Sequence, residues 1–159
     1  MKILVLSDSH GIIGQMERVV AKMEPHVACV MFLGDYLRDI ERVANNFPDV
    51  IFHWVPGNCD FMSDAPRELM VEIAGKKVWM SHGDRFGVKS SYGHIEAAAA
   101  TRGADICLFG HSHIASSYEK NGILFLNPGS ISEPRGPKGK SYAVVEILGN
   151  VVLSKVVEL

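Results

Sequence analysis

Seven residues able to ligate a metal ion interrupt an otherwise apolar pattern. They are Asp8 and His10 in Asp8-Ser-His10-Gly, Asp35 in Gly34-Asp35, Asn58 in Gly57-Asn58-Cys59-Asp60, His82 in Ser81-His82-Gly83-Asp84, and His111 and His113 in Gly110-His111-Ser112-His113. Taken alone, Asp-x-His is weak evidence, because Asp8 or Ser9 could equally cap a helix. Repetition of the pattern at strand after strand is what makes a site. The set is imidazole, carboxylate and amide without thiolate, which suits Mn, Fe, Zn, Ni or Co better than the all-oxygen cage of calcium. Seven ligands exceed what one catalytic ion with an open position can use, and suit two. Two ions about 3.5–4 Å apart need a shared ligand, and a carboxylate bridges with its two oxygens; Asp35, midway in the series, is the candidate. Such a pair turns water into a nucleophilic hydroxide and clamps phosphoryl oxygens, so phosphoester hydrolysis is the preferred chemistry.

The elements that must carry these residues are legible as apolar runs. Ile3 to Leu6, Val27 to Leu33, Val50 to Val55, Val78 to Met80 and Asp105 to Phe109 each read as a buried strand, and each ends at one of the polar motifs. Ligands at the C-terminal ends of strands are the usual arrangement of α/β proteins. If the chain stays extended past the first strand, period-two alternation puts Asp8 and His10 on one side. Between strands, Ile12 to Met23, halted by Pro25, and Tyr36 to Asn46 have helical spacing; a third, alanine-rich helix is expected through Thr101, capped by Ser90 and Ser91 and closed by Gly103. Three hairpins follow from Gly75-Lys76, Asn121-Gly122 and Gly149-Asn150. His53 reads as a hydrogen-bonded structural histidine, and His26 and His94 as surface residues.

With 159 residues the chain suits one domain, 1–159. Its 47% hydrophobic and 21% charged residues are those of an ordinary soluble globular protein. A net charge of −2 gives no nucleic-acid footprint, and no basic run points to a membrane. Cys29, Cys59 and Cys107 are odd in number and scattered, which indicates neither a disulfide framework nor a thiolate zinc site. A cytoplasmic location is expected.

The five ordered motifs resemble those of the calcineurin-like metallophosphoesterase superfamily, in particular its small bacterial and archaeal phosphodiesterase branch, to which the retromer scaffold subunit is related. The resemblance spans residues 1 to about 135. It implies an α/β fold, a four-layer αββα sandwich of two mixed β-sheets flanked by helices, with a dinuclear site at the strand ends. It implies further that Asp8, His10 and His113 hold one ion, that Asn58, His82 and His111 hold the other, and that Asp35 bridges. Asn58 would also touch substrate phosphate, Arg135 would contact substrate or shape its loop, and Asp60 would orient a neighbouring side chain. Catalysis would rest most directly on Asp35, Asn58 and His82, with two divalent ions per chain, Mn first and Ni, Zn, Fe, Co or Mg as alternatives.

Two positions depart from the family pattern. Cys59 stands where many members place a histidine that protonates the leaving group, and is read here as a small buried residue, since a thiol with pKa about 8.5 is a poor acid at neutral pH. Asp84 stands where a histidine is common, which would repel phosphate or accept a hydrogen bond from a ligand histidine. The function expected is hydrolysis of small phosphodiesters; the alternative is a non-catalytic scaffold on the same fold. A small phosphoester is the expected partner, and exposed antiparallel sheet edges would permit a homodimer.

Overall fold

Alternation along the first strand sorts the molecule into layers. In this computed structural model, which describes residues 1–159, strand β1 (Lys2–Leu6) turns Ile3 and Val5 into a cluster with Met31, Leu33, Val78, Met80, Ile106 and Leu108, between two sheets. Leu4 and Leu6 face the other way, against Met16, Val19 and Val20 of helix α1 (Ile13–Met23) and Ile40 and Val43 of α2 (Leu37–Asn46). All four of these β1 side chains are fully buried, and each such burial contributes about 1.5–3 kcal/mol. The strand is thereby a rigid platform for whatever follows it.

The remaining strands are β2 (Cys29–Phe32), β3 (Ile51–Trp54), β4 (Glu68–Ile73), β5 (Lys76–Ser81), β6 (Ile106–Leu108), β7 (Ser116–Lys120), β8 (Ile123–Asn127), β9 (Ser141–Leu148) and β10 (Val151–Glu158), with helix α3 (Gly93–Thr101) between β5 and β6. They form two five-stranded sheets, ordered β10-β9-β1-β2-β3 and β4-β5-β6-β8-β7. In the first, β1 runs parallel to β2 and antiparallel to β9; in the second, β5, β6 and β8 are parallel, with β4 and β7 antiparallel at the edges. Trp79, Cys107 and Phe125 on the outer face of the second sheet pack on Ile95 and Ala99 of α3. The result is the expected αββα sandwich of mixed sheets. Since β1, β2, β5 and β6 are parallel members of the facing sheets, their C-terminal ends emerge together, and the polar motifs come with them.

Local expectations fare unevenly. Asn121 and Gly122 both take positive φ, as a tight hairpin turn demands. The first α-helix ends at Met23, as Pro25 requires, and Pro25 itself sits in the first turn of a short 3₁₀ segment, Glu24–His26, where its missing N–H costs nothing. Ser90 and Ser91 do not cap α3. Their amides are both spent on the Gly87 carbonyl, and the helix begins after Tyr92 with no side-chain cap. No helix is long and apolar enough to cross a membrane.

Candidate metal centre

The turns after β1, β2, β3, β5 and β6 bring all seven predicted ligands to one end of the sandwich. Asp8 and His10 do not converge through an extended chain. Both have left-handed backbone, with φ of 57° and 45°, as do Asp35 at 62°, His111 at 66° and His113 at 58°. Non-glycine residues in this region cost about 1–3 kcal/mol each and persist only where their surroundings over-determine them. The surroundings here do so. The Asp8 amide donates to the Gly34 carbonyl at 3.0 Å, the Asp8 carbonyl accepts from Ser130 and Ser132 hydroxyls at 2.8 and 2.9 Å, and the His111 amide donates to Asp8 Oδ2 at 3.2 Å.

Two groups of potential ligand atoms result. Asp8, His10, Asp35 and His113 form one and Asp35, His82 and His111 the other, with the atoms of each group within 4.8 Å of one another. Asp35 belongs to both, its Oδ2 3.7 Å from His10 Nε2 and its Oδ1 3.5 Å from His82 Nε2. Asn58 joins the second group, Oδ1 lying 3.2 Å from His82 Nε2. Ligands about 2.1 Å from a common ion are roughly 3.0–3.4 Å apart in octahedral or tetrahedral geometry. The contacts of His113 Nε2 with Asp8 Oδ1 at 3.2 Å and His10 Nε2 at 3.2 Å, and of His82 Nε2 with His111 Nδ1 at 3.1 Å, match that spacing.

Tautomer geometry tests the fit further. His82 Nδ1–H donates to the Leu33 carbonyl at 2.7 Å and His113 Nδ1–H to the Glu133 carbonyl at 2.6 Å. In each neutral ring the other nitrogen, Nε2, therefore keeps its lone pair and aims it at carboxylate oxygen and further imidazole nitrogen. Asp8 Oδ1 is buried and has no hydrogen-bond partner. Acceptors facing acceptors in a buried site are unfavourable until a cation lies among them, so the residues fit bound metal. Burial opposes ionisation of Asp8, but the His113 and His82 imidazoles and the Ser7 hydroxyl outweigh it and hold the carboxyl below its usual range. At His111, burial and the neighbouring His82 and Lys89 push the pKa down to about 4, which favours the neutral ring that a metal would need.

Supporting residues hold the ligand loops. Asp60 accepts the Tyr36 and Leu37 amides through Oδ1 at 3.0 and 2.8 Å and the Gly57 amide through Oδ2 at 2.9 Å, so it clamps the Asp35 and Asn58 loops together. Gly57 and Gly110 are there for close approach: a Cβ on Gly57 would strike Asp35 Oδ1, and one on Gly110 would strike Ser7 Oγ. Asp39, Asn127, Ser130 and Ser132 went unnoticed in the sequence. Buried Asp39 accepts from Ser9 Oγ and the Gly11 amide, both at 2.7 Å, pinning the Asp8–His10 loop to α2. Asn127 donates to the Gly110 carbonyl at 2.9 Å and to Ser112 Oγ at 3.0 Å, fixing the His111–His113 turn. The signal for Asp39 was a lone acid on the apolar side of α2, between Leu37 and Ile40.

Other expectations need correction. Cys59 is exposed rather than buried, because the chain turns outward after Asn58; its amide donates to Asp35 Oδ1 at 2.9 Å. Desolvation and then the Asp35 and Asp60 carboxylates push the thiol up to about 11. Asp84 forms no hydrogen bond with any of these histidines: the Nδ1–H groups of His82 and His113 are taken by backbone carbonyls, and Asp84 reaches His111 only as a nearby charge. Arg135 is exposed at the rim; its amide donates to the His113 carbonyl at 3.1 Å, and its charge reaches His113. His53 is half-buried within β3 and its side chain forms no hydrogen bond, while His26 and His94 are exposed as expected.

Comparison with known proteins agrees with this geometry. Residues 1–150 match the model of the calcineurin-like phosphoesterase superfamily domain. The chain is 35% identical to the probable metallophosphoesterase YsnB of Bacillus subtilis over 92% of its own length and 85% of that protein's. It is 28% identical to the phosphodiesterase YfcE of Escherichia coli, over 97% and 90%. A predicted phosphoesterase of Streptococcus pneumoniae superposes with TM-score 0.86 at 34% identity, over 99% of this chain and 88% of that one. Vps29 of Entamoeba histolytica complexed with zinc superposes with TM-score 0.78 over 99% of each chain, but at 20% identity it shares the fold alone. Matched over nearly its whole length, with the motif residues gathered at one end of the sandwich, the chain belongs to the calcineurin-like phosphoesterase superfamily.

Proposed function

We propose that the protein is a dinuclear metal-dependent phosphodiesterase acting on small phosphodiesters. The observation that carries this reading is the membership of Asp35 in both ligand groups. Asp8, His10 and His113 would hold one ion, Asn58, His82 and His111 the other, and Asp35 would bridge, with manganese the first candidate for a mixed N/O set. When bound, such a pair supplies Lewis-acid polarisation of the phosphoryl oxygens and an acidified water as nucleophile.

The chain's own residues do the rest. The rings of His82 and His113 are held in one orientation by the Leu33 and Glu133 carbonyls, so no reorganisation is needed at the moment of reaction. Asn58 is exposed at the mouth, where its amide can also donate to a phosphoryl oxygen. Arg135, at the rim, adds a positive charge for the incoming anion. Cys59, with its thiol pushed up to about 11, is too weak an acid to protonate a leaving alkoxide at neutral pH. The enzyme therefore favours good leaving groups. The name of the E. coli relative, a phosphodiesterase, supports diesters over monoesters. A scaffold role is the alternative on this fold, but a scaffold has no use for seven convergent ligands.

The experiment is hydrolysis of bis-p-nitrophenyl phosphate beside the monoester p-nitrophenyl phosphate, on protein stripped of metal and reloaded with Mn, Ni, Zn, Co or Mg. Turnover of the diester only after reloading is expected. Two bound ions with neither ester cleaved would leave the scaffold reading standing.

A further inference from the structure

A groove of about 870 Å³ runs from Asn58 and Cys59 along the start of α2, between Tyr36 and the loop that carries Phe61 and Met62. This is within the usual range of small-molecule sites. We propose that it is a subsite for one planar, uncharged organic group, an aryl or nucleobase-like substituent, on a phosphodiester bearing a single phosphate. The proposal rests on the phosphodiesterase reading and adds the class of substituent to it.

The groove begins where the metal centre ends. Asn58 lines the groove and points Oδ1 at His82 Nε2. The Tyr36 ring meets the His10 ring edge-on at 5.4 Å and lines the same groove. Tyr36 is held there in left-handed backbone, φ 76°, an unusual conformation for a bulky residue, and is fixed by the hydrogen bond from its amide to Asp60. Across from it, Phe61 is 79% and Met62 87% exposed. Two adjacent large apolar side chains so exposed gain nothing for the fold, and mark a place where apolar surface is to be covered. A flat ring suits them, since aromatic rings stack or meet edge-on and methionine sulfur packs at ring edges.

Charge narrows the occupant. The groove's charged side chains are Arg38 against Glu41, Asp60 and Asp64, and Asp60 is already bound by backbone amides. An acidic lining repels a second phosphate, which disfavours nucleoside polyphosphates and nucleic-acid strands. It leaves room for a neutral ring on an ester whose one phosphate sits at the metals.

The test separates the groove from the chemistry. Zinc-loaded protein is titrated with diphenyl phosphate and with dimethyl phosphate, followed by backbone amide NMR shifts, for the natural chain and for the double substitution Phe61→Ser with Met62→Ser. Both side chains are exposed, so the fold is expected to survive. Diphenyl phosphate should shift the amides from Asp60 to Ala65 and bind at least about fivefold more weakly to the double variant, while dimethyl phosphate binds both alike. The KM for bis-p-nitrophenyl phosphate should rise by the same factor at nearly constant kcat. Equal affinity of diphenyl phosphate for both proteins, equal weakening of dimethyl phosphate, or no binding of diphenyl phosphate would each overturn the subsite. Absence of turnover in the natural chain would instead overturn the phosphodiesterase reading, and the titration would still decide the groove.

Discussion

Asp35 is the residue on which both ligand groups depend, and its replacement separates a bridged pair from two independent sites. Asp35→Asn keeps the shape but loses the second negatively charged oxygen. Residues one step removed from a metal typically cost 10–100-fold, so turnover of a diester by Asp35→Asn should fall by more than about 10²-fold, with lower metal content. Cys59→Ala should leave metal content intact and change kcat by less than about tenfold, whereas loss of a true general acid costs about 10²–10⁴-fold. Measured on bis-p-nitrophenyl phosphate, a larger loss would assign the thiol a proton-transfer role despite its raised pKa. At His113, burial works against protonation, but the Asp8 carboxylate, 3.2 Å from Nε2, overcomes it and raises the pKa above the ordinary 6.5. A proton there competes with metal, so affinity is full at high pH and falls as pH drops through that raised value. Competition with a chelating dye should therefore show weaker binding at about pH 6 than at about pH 8. The convergence of all seven candidate ligands was readable from residue type and place, since each follows an apolar run. The exposure of Cys59 was not, because burial one residue past a strand depends on which way a turn leads.

At the scale of the elements, the site is a set of turns held in strained backbone by side chains from distant segments. Asp39 of α2 is the clearest case. Asp39→Ala deletes two charge-assisted hydrogen bonds to the Asp8–His10 loop, each worth about 1.5–3 kcal/mol. It should lower the melting temperature and weaken metal binding to the group that contains Asp8 and His10. A variant with unchanged melting temperature and metal affinity would remove Asp39 from the account. Gly110→Ala drives a methyl group into Ser7 and should cost about 1–3 kcal/mol, read by chemical denaturation. The strands and most helix limits were legible because apolar runs and helical spacing mark them. The left-handed turns were not, since nothing in Asp-Ser-His distinguishes an extended chain from a kinked one until its hydrogen-bond partners, 26 to 124 residues away, are known.

For the molecule as a whole, the sandwich was expected from the order of motifs, but not which sheet each strand joins. The last hairpin reads locally as β9 paired with β10, yet β9 also lies antiparallel to β1, with Val145 opposite Ile3. That pairing of the chain's two ends depends on packing between sheets, which no local pattern encodes. It also makes metal binding a property of the entire fold, because Ser130 and Ser132, just before β9, hold the Asp8 carbonyl. Ions that bind only the folded chain stabilise it by about 2.7 kcal/mol per site at one hundred times Kd, which is roughly 5–10 °C of melting temperature per site. The most direct test is metal stoichiometry, measured by equilibrium dialysis and elemental analysis on the natural chain and on Asp35→Asn. A bridged centre predicts two ions per chain, with both sites weakened together when Asp35 is replaced. A single ion in the natural chain, or two that bind Asp35→Asn undiminished, would contradict it.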